Sequence, residues 1–186
     1  MPINFLTLII AISILLSACQ IPTLQESTKP SYAFFDLKGF FEKEAEYLQA
    51  QNIRIKKTIR HNSNTEEHIS KVESWEDELR LFRESDINKP SWKDKYTLDS
   101  TEIGNGLVLL HYKANDKELN TQVLDVKLAG AEVHSIVIIG KVSNQVYESQ
   151  QYLTYIPHKS YTIEKTQDVV LFDKDEYNIK AKYILE

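Results

Sequence analysis

The side chains of this sequence that could do acid–base or metal chemistry are its histidines and its clustered carboxylates. No two of the five histidines have the HxH, HExxH or HxxxH spacing that brings two imidazoles to one metal ion; they are His61, His68, His111, His134 and His158. Carboxylates cluster at Glu66–Glu67, Glu76–Glu78 and Asp173–Glu176. A pair of carboxylates can serve a hydrolase, but on an acidic chain such clusters are usually solvated. A hydrolase is therefore the alternative interpretation and not the first one.

Other catalytic signatures do not fit this sequence. Its five glycines cannot form a GxGxxG or phosphate-binding loop, and neither GxSxG nor SxxK occurs. The run Asp173–Glu176 lacks the DxDxDG spacing and the distal glutamate of a calcium loop. We therefore predict no catalytic residue, no metal and no cofactor.

The only cysteine, Cys19, follows a short apolar run, Phe5–Leu16. That run is too short for a transmembrane helix and has the length of a signal-peptide core, although no Lys or Arg precedes it. Leu16, Ser17, Ala18 and Cys19 resemble the lipobox of bacterial lipoproteins. The resemblance implies that residues 1–18 are a cleaved signal peptide and that Cys19 carries the lipid that holds the protein in a membrane.

The residues after Cys19 predict where the protein is anchored. Positions 19–31 comprise the lipidated cysteine and a polar tether with prolines, whose last twelve residues span at most about 40 Å. In lipoproteins of this type an aspartate after the cysteine often means inner-membrane retention, so Gln20 favours the outer membrane. An acidic cluster there is typical of surface export in Bacteroidota, and here the first acid is Glu26. We expect the periplasmic face of the outer membrane rather than the cell surface.

Residues 32–186 have the length of a single domain, and their patterns predict an α+β fold. Asp36 is a candidate N-cap for a helix with apolar residues at helical spacing, from Leu37 to Leu48. Ser74 with Asp77 has the form of a capping box for a second helix, which would run to about Glu84.

Alternating patterns and turn residues predict ten strands with antiparallel pairing. They cover 53–60, 66–73, 95–103, 106–114, 121–129, 132–142, 145–156, 159–166, 168–173 and 176–185. We expect two N-terminal amphipathic helices packed on a long, curled antiparallel β-meander. A sheet with this curl can form a half-open barrel. The basic cluster Arg54, Lys56, Lys57 and Arg60 is either a solvated strand face or a patch for an acidic partner.

Two blocks, Phe35–Phe41 and Asp86–Asp94, together with the long β half behind them, resemble an uncharacterised group of small lipoproteins from Bacteroidota. The resemblance spans most of the mature chain. It implies the lipid anchor and the helix-then-sheet layout, and it implies no catalytic or binding residue.

The formal net charge of −5 gives no electrostatic footprint for nucleic acid. We therefore expect a non-enzymatic envelope module, bound to the membrane through Cys19, that binds a protein partner or an apolar ligand. The candidate ligand or partner surface consists of aromatic residues: Phe40, Phe41, Trp75, Tyr152 and Tyr155. The alternative is a hydrolase that acts on envelope polymers through a carboxylate pair or an isolated His–Asp arrangement.

Overall fold

Nine β-strands form most of the structure, a computed structural model that describes residues 33–184. Two of them follow the first helix: β1 (Arg54–His61) and β2 (Asn64–Lys71). The others occupy the second half of the chain: β3 (Tyr96–Glu102), β4 (Leu107–Ala114), β5 (Thr121–Ala129), β6 (Glu132–Ser143), β7 (Tyr147–Ile156), β8 (Ser160–Val169) and β9 (Asp175–Ile184). The predicted signal peptide, the lipobox with Cys19 and the tether lie outside the described residues.

All nine strands belong to one antiparallel sheet with the order β2-β1-β9-β8-β7-β6-β5-β4-β3. The strands β3 to β9 pair as a meander, and the β1–β2 hairpin pairs with the last strand through β1. The two edge strands, β2 and β3, each have one neighbour, so the sheet is open. The antiparallel prediction is confirmed, and the fold is a large open sheet with a few helices.

Three α-helices and one 3₁₀-helix (Pro90–Trp92) accompany the sheet in the described residues. The first is α1 (Leu37–Ala50), where the Asp36 carboxylate accepts a hydrogen bond from the Gly39 backbone N–H at 2.9 Å. The second predicted helix is interrupted at Leu79, which gives α2 (Trp75–Glu78) and α3 (Arg80–Glu84). Ser74 caps α2 by accepting from the Asp77 N–H at 3.2 Å. The capping box thus marks the start of this helical segment, but the helix is not continuous to Glu84.

One of the predicted strand boundaries is wrong. Residues 159–166 and 168–173 were expected as two strands, whereas β8 pairs with β7 without interruption from Ser160 to Val169. The reversal comes later, at residues 170–174, where Leu171 has a φ of +76°. No glycine or proline interrupts the strand at Thr166, Gln167 or Asp168. Pairing of β8 with β7 therefore continues through these residues.

The two faces of the sheet differ in burial. The face that carries Leu124, Ile138, Leu153, Tyr155 and Ala181 is buried, and we call it the inner face. The alternate residues of the same strands are exposed or half-buried, and we call that side the outer face. The inner-face residues join those of the helical segments in one apolar core; the largest side chains among these are Trp75, Phe41, Phe82, Leu37 and Leu48. Strand alternation places these side chains on one side, and their burial drives the helical segments onto that side.

Replacement of Phe41, whose side chain is 1% exposed, by alanine should strongly destabilise the protein. The Phe41→Ala variant loses a buried ring between Phe82 and Tyr155, at a cost of about 3–5 kcal/mol in the free energy of unfolding. Phe172, which is 76% exposed, provides the matched control, and Phe172→Ala should change that free energy by less than about 0.5 kcal/mol. Urea unfolding followed by circular dichroism measures both, and equal effects would contradict this assignment of the core.

Candidate functional site

Four of the five predicted surface aromatics lie on the inner side of the sheet. Phe41 is 1% exposed and Tyr155 is fully buried, with ring centroids 4.9 Å apart in an edge-to-face contact. Phe40 is half-buried and contacts both of these rings. Trp75 is 1% exposed and packs edge-to-face on Tyr183 at 5.0 Å. These four residues therefore pack the core and do not form a partner surface.

Tyr152 is the predicted surface aromatic that points the other way. It lies three residues before Tyr155 on β7, and successive strand residues alternate between faces, so the two tyrosines lie on opposite faces. Tyr152 is 44% exposed on the outer face. The structure thus separates Tyr152 from the other four candidates.

A buried carboxylate connects α1 to the sheet beneath the aromatic cluster. Glu44 is 5% exposed, and its Oε1 accepts a hydrogen bond from the Tyr155 hydroxyl at 2.6 Å and from the His158 backbone N–H at 3.1 Å. The Tyr183 hydroxyl donates to the Tyr155 oxygen at 3.3 Å. Burial, with the neighbouring Tyr183 and Glu44, raises the pKa of Tyr155 far above its usual range, so this phenol stays protonated and donating. The cluster therefore fixes α1 on the sheet, and the exposed ring of His158 lies beside it, with Nδ1 3.1 Å from the same Glu44 oxygen.

Three cavities open on the described surface, and all are lined mainly by polar residues. One of them, of about 460 Å³, lies between α1 and residues 73–76, and its lining includes four glutamates: Glu42, Glu46, Glu73 and Glu76. These four side chains are exposed, and Glu76 forms an ion pair with Arg83 at 2.5 Å. None of the three cavities includes Phe40, Phe41 or Trp75 in its lining.

The strand register creates two histidine–carboxylate pairs that residue spacing did not indicate. His111 on β4 lies opposite Asp125 on β5, with Nδ1 and Oδ1 2.5 Å apart. His61 at the end of β1 contacts Asp175 of β9 at 2.6 Å and stacks on Tyr177 with ring centroids 4.2 Å apart. Knowledge of the β4–β5 register would have revealed the first pair, whereas the second depends on the pairing of β1 with β9. Neither pair lines one of the three cavities.

The environment of Asp175 illustrates how such a pair is stabilised. Partial burial acts to raise the pKa of this carboxyl, but hydrogen bonds from His61, Tyr177 and Asn62 outweigh it and hold the pKa below its usual range. The same contact raises the pKa of the Tyr177 hydroxyl. These effects keep Asp175 ionised and hold the turn after β1 to the start of β9.

The outer face has an apolar centre formed by four residues. Val123, Ile139 and Tyr152 lie directly opposite one another on β5, β6 and β7. Val137 lies two residues before Ile139 on the same face. Ile139 is 37% exposed and Tyr152 is 44% exposed, and no described helix covers this side. Aromatic and aliphatic residues at the centre of an exposed face are typical of protein contact surfaces.

Beyond β8, which separates it from the apolar centre, the outer face of β9, β1 and β2 is strongly basic. We call these six residues the cationic flank: Arg54, Lys56, Arg60, Lys71, Lys180 and Lys182. Lys56 lies directly opposite Lys182, and Arg54 directly opposite Lys71. Glu67 balances part of this charge, because it binds Lys56 at 2.8 Å and this contact lowers its pKa. Like charges opposite each other destabilise a sheet, so this flank favours the approach of an anionic group.

Three members of the cationic flank have no counter-ion among the residues that the structure describes. Among residues 33–184, no carboxylate oxygen lies within ion-pair distance of Arg60, Lys180 or Lys182. The chain as a whole has a formal net charge of −5, so the cationic flank is a basic surface on an acidic protein. The basic cluster predicted near residue 54 supplies three of the six residues of this flank. The other three were not predicted: Lys71 comes from β2, and Lys180 and Lys182 come from β9.

Three further findings bear on the site. Over residues 33–184, no group of three or more His, Cys, Asp or Glu side chains is arranged to hold a metal ion. Within the same described residues, no helix has both the length and the apolar character needed to cross a bilayer. Comparison with protein-family models, with curated proteins and with solved structures gives no match to this chain.

The hydrogen bond between Tyr155 and Glu44 should contribute measurably to stability. Tyr155→Phe removes a donor from a buried carboxylate and should lower the free energy of unfolding by about 1.5–3 kcal/mol. Tyr152→Phe is the control, because its hydroxyl is on the exposed outer face, and it should leave that free energy unchanged within about 0.5 kcal/mol. If chemical denaturation gives the same midpoint for both variants, Glu44 is not held by Tyr155.

Proposed function

We propose that this protein is a lipid-anchored lipoprotein of the cell envelope that binds a protein partner across the outer face of its sheet and catalyses no reaction. One observation carries the binding part of the proposal: an uncovered sheet face whose apolar centre lies one strand away from the cationic flank, where residues 33–184 supply no ion pair for Arg60, Lys180 and Lys182. The lipobox-like residues that end in Cys19 support the anchor. In this proposal the helical segments and the inner face form the scaffold, and the outer face makes the contact.

The chemistry of the outer face defines the partner that it fits. Tyr152 and Ile139 would be buried at the centre of the contact, where aromatic and aliphatic side chains contribute most of the binding energy. The cationic flank would face acidic residues of the partner, which would increase the association rate and fix the orientation. The partner surface is therefore apolar with an acidic border on one side.

The partner version of the earlier expectation has more support than the apolar-ligand version. Binding of a lipid-sized ligand under the helical segments needs an open apolar cavity, whereas Phe41, Trp75 and Tyr155 fill that space with each other and with neighbouring rings. The hydrolase alternative stays a prediction. The exposed glutamates between α1 and residues 73–76 are the place where it would be tested.

We place the protein at the outer membrane, on its periplasmic face. The absence of an aspartate at position 20 and of an acidic cluster directly after Cys19 supports this location. The partner would then be another envelope protein within reach of the tether, whose twelve residues extend to about 40 Å at most.

If Cys19 is the lipid anchor, cells of the native or a related host should cleave the chain before Cys19 and acylate this residue. The mature protein should begin at Cys19, carry two or three acyl chains, and remain with the membrane fraction, because two or more chains hold a protein stably there. The Cys19→Ala variant should lack the lipid mass and should not be processed after Ala18. Intact mass spectrometry measures both outcomes, and a wild-type protein without lipid mass would refute the anchor.

Substitutions on the outer face should selectively weaken the contact with the partner. A photoreactive amino acid in place of Glu164, which lies opposite Tyr152 on β8, should crosslink the partner in intact envelopes. Tyr152→Asp should reduce that crosslinking about tenfold or more, because loss of an interface hot spot costs over ~1.4 kcal/mol. Lys182→Glu should reduce it as well, and added salt should weaken the wild-type contact.

The control for this experiment is Ile103→Asp. Ile103 is 43% exposed, close to the 44% of Tyr152, but it follows β3 and lies away from the apolar centre. This variant should crosslink like the wild type. Equal crosslinking by the Tyr152→Asp and wild-type proteins would show that the outer face is not the contact surface.

A further inference from the structure

Four apolar side chains are exposed together in two adjacent turns of the sheet. They are Val146 in the turn between β6 and β7, and Val170, Leu171 and Phe172 in the turn between β8 and β9. Val146 is 60% exposed, Val170 57%, Leu171 96% and Phe172 76%. We call these four residues the apolar tip. A folded domain gains nothing from exposing large apolar side chains to water, so such a cluster indicates a contact outside the domain.

Hydrogen bonds of the backbone fix the conformation of the two turns that form the apolar tip. The Val170 N–H donates to the Val146 carbonyl at 3.1 Å, which joins the two turns. The Phe172 N–H donates to the Val169 carbonyl at 3.0 Å, and the Asn144 side chain accepts from the Val146 N–H at 3.0 Å. Leu171 has a φ of +76°, a left-handed conformation that is costly for a residue with a side chain. That conformation leaves the leucine in solvent beside Phe172.

The apolar tip lies at the same end of the sheet as the point where the chain enters the domain. In antiparallel pairing, the end of β8 and the start of β9 share one sheet end with the end of β4 and the start of β3. At that end, the ring of Phe34 packs on Tyr96 of β3 and Tyr112 of β4, with centroids 5.8 Å apart in each contact. From β4 to β8 there are four strand spacings, or about 19 Å. The predicted tether spans at most about 40 Å, so the anchor and the apolar tip can reach one surface.

We propose that the apolar tip inserts into the head-group region of the same membrane that holds the lipid anchor. This inference rests on the proposed anchor at Cys19. A few apolar side chains are enough for a shallow membrane contact when a lipid chain already keeps the domain at the surface. A stable contact with a protein or with a second copy of the chain needs about 20–30 residues on each side, and the tip supplies four.

The charges around the apolar tip indicate which lipids it meets. The flanking residues Asp168, Asp173 and Asp175 are acidic, and Lys174 is engaged with Glu176 at 3.2 Å. Such surroundings repel anionic head groups. The contact therefore suits a surface rich in zwitterionic phospholipid such as phosphatidylethanolamine.

The test uses the full lipidated chain in phosphatidylethanolamine–phosphatidylcholine vesicles. In the proposal Cys19 is blocked by lipid, so a nitroxide spin label attached to Phe172→Cys reports only on the tip. Glu132→Cys, at the exposed start of β6 on the opposite end of the sheet, is the matched control. Molecular oxygen concentrates in the bilayer and a water-soluble nickel complex is excluded from it, so the relative accessibility of the label to the two measures its depth.

The expected result is that the label at position 172 is more accessible to oxygen than to the nickel complex, while the label at position 132 shows the reverse. Vesicles with added phosphatidylglycerol should reduce the difference. Equal accessibility of the nickel complex at both positions would place the tip in water, and low accessibility to both reagents would place it against protein; either result overturns the proposal. Labelled protein that does not float with the vesicles would instead refute the anchor.

Discussion

The pairing of β1 with β9 is the contact on which the rest of the surface depends. These two strands are far apart in sequence, and their pairing joins the N-terminal hairpin to the seven-stranded meander. It places Arg54 and Lys56 beside Lys180 and Lys182, and so builds the cationic flank from both halves of the chain. It also brings His61 to Asp175 and, on the inner side, allows Lys57 to form an ion pair with Glu78 at 2.7 Å. Without this pairing the basic residues of β1 would be only a solvated strand face.

The inner and outer faces follow from one requirement, the burial of the aromatic cluster around Tyr155. Phe41, Phe82 and Tyr155 contact one another, and Glu44 accepts a hydrogen bond from the Tyr155 hydroxyl. Both apolar and polar contacts therefore hold α1 on the sheet. A buried carboxylate is costly unless donors surround it, and this cost makes the register of α1 on the sheet specific. Once one face is covered in this way, strand alternation leaves Ile139 and Tyr152 on the other.

The sequence predicted most of the elements because they are local features. The spacing of Leu37, Phe41 and Leu48 indicated α1, the Ser74 cap indicated the start of α2, and alternation indicated the strands. The extent of β8 was missed because pairing with β7 decides where it ends. Most of the candidate site, the apolar centre and the cationic flank of the outer face, could not be predicted from the sequence. Aromatic composition does not distinguish Tyr152 from Tyr155, and only the phase of β7 relative to the core assigns one to the outer face and the other to the core.

The two proposed contacts are geometrically compatible because they use different directions of the same sheet. The apolar tip lies at one end of the strands, whereas the outer face extends along them for about 34 Å, the length of ten residues of strand. If the apolar tip contacts the membrane, the strands extend away from the membrane surface. The outer face is then roughly perpendicular to the plane of the bilayer. Tyr152 and the cationic flank would remain open to a neighbouring envelope protein while the lipid and the tip hold the domain. The membrane contact would thus reduce the rotational freedom of the tethered domain, which lowers the entropic cost of binding the partner.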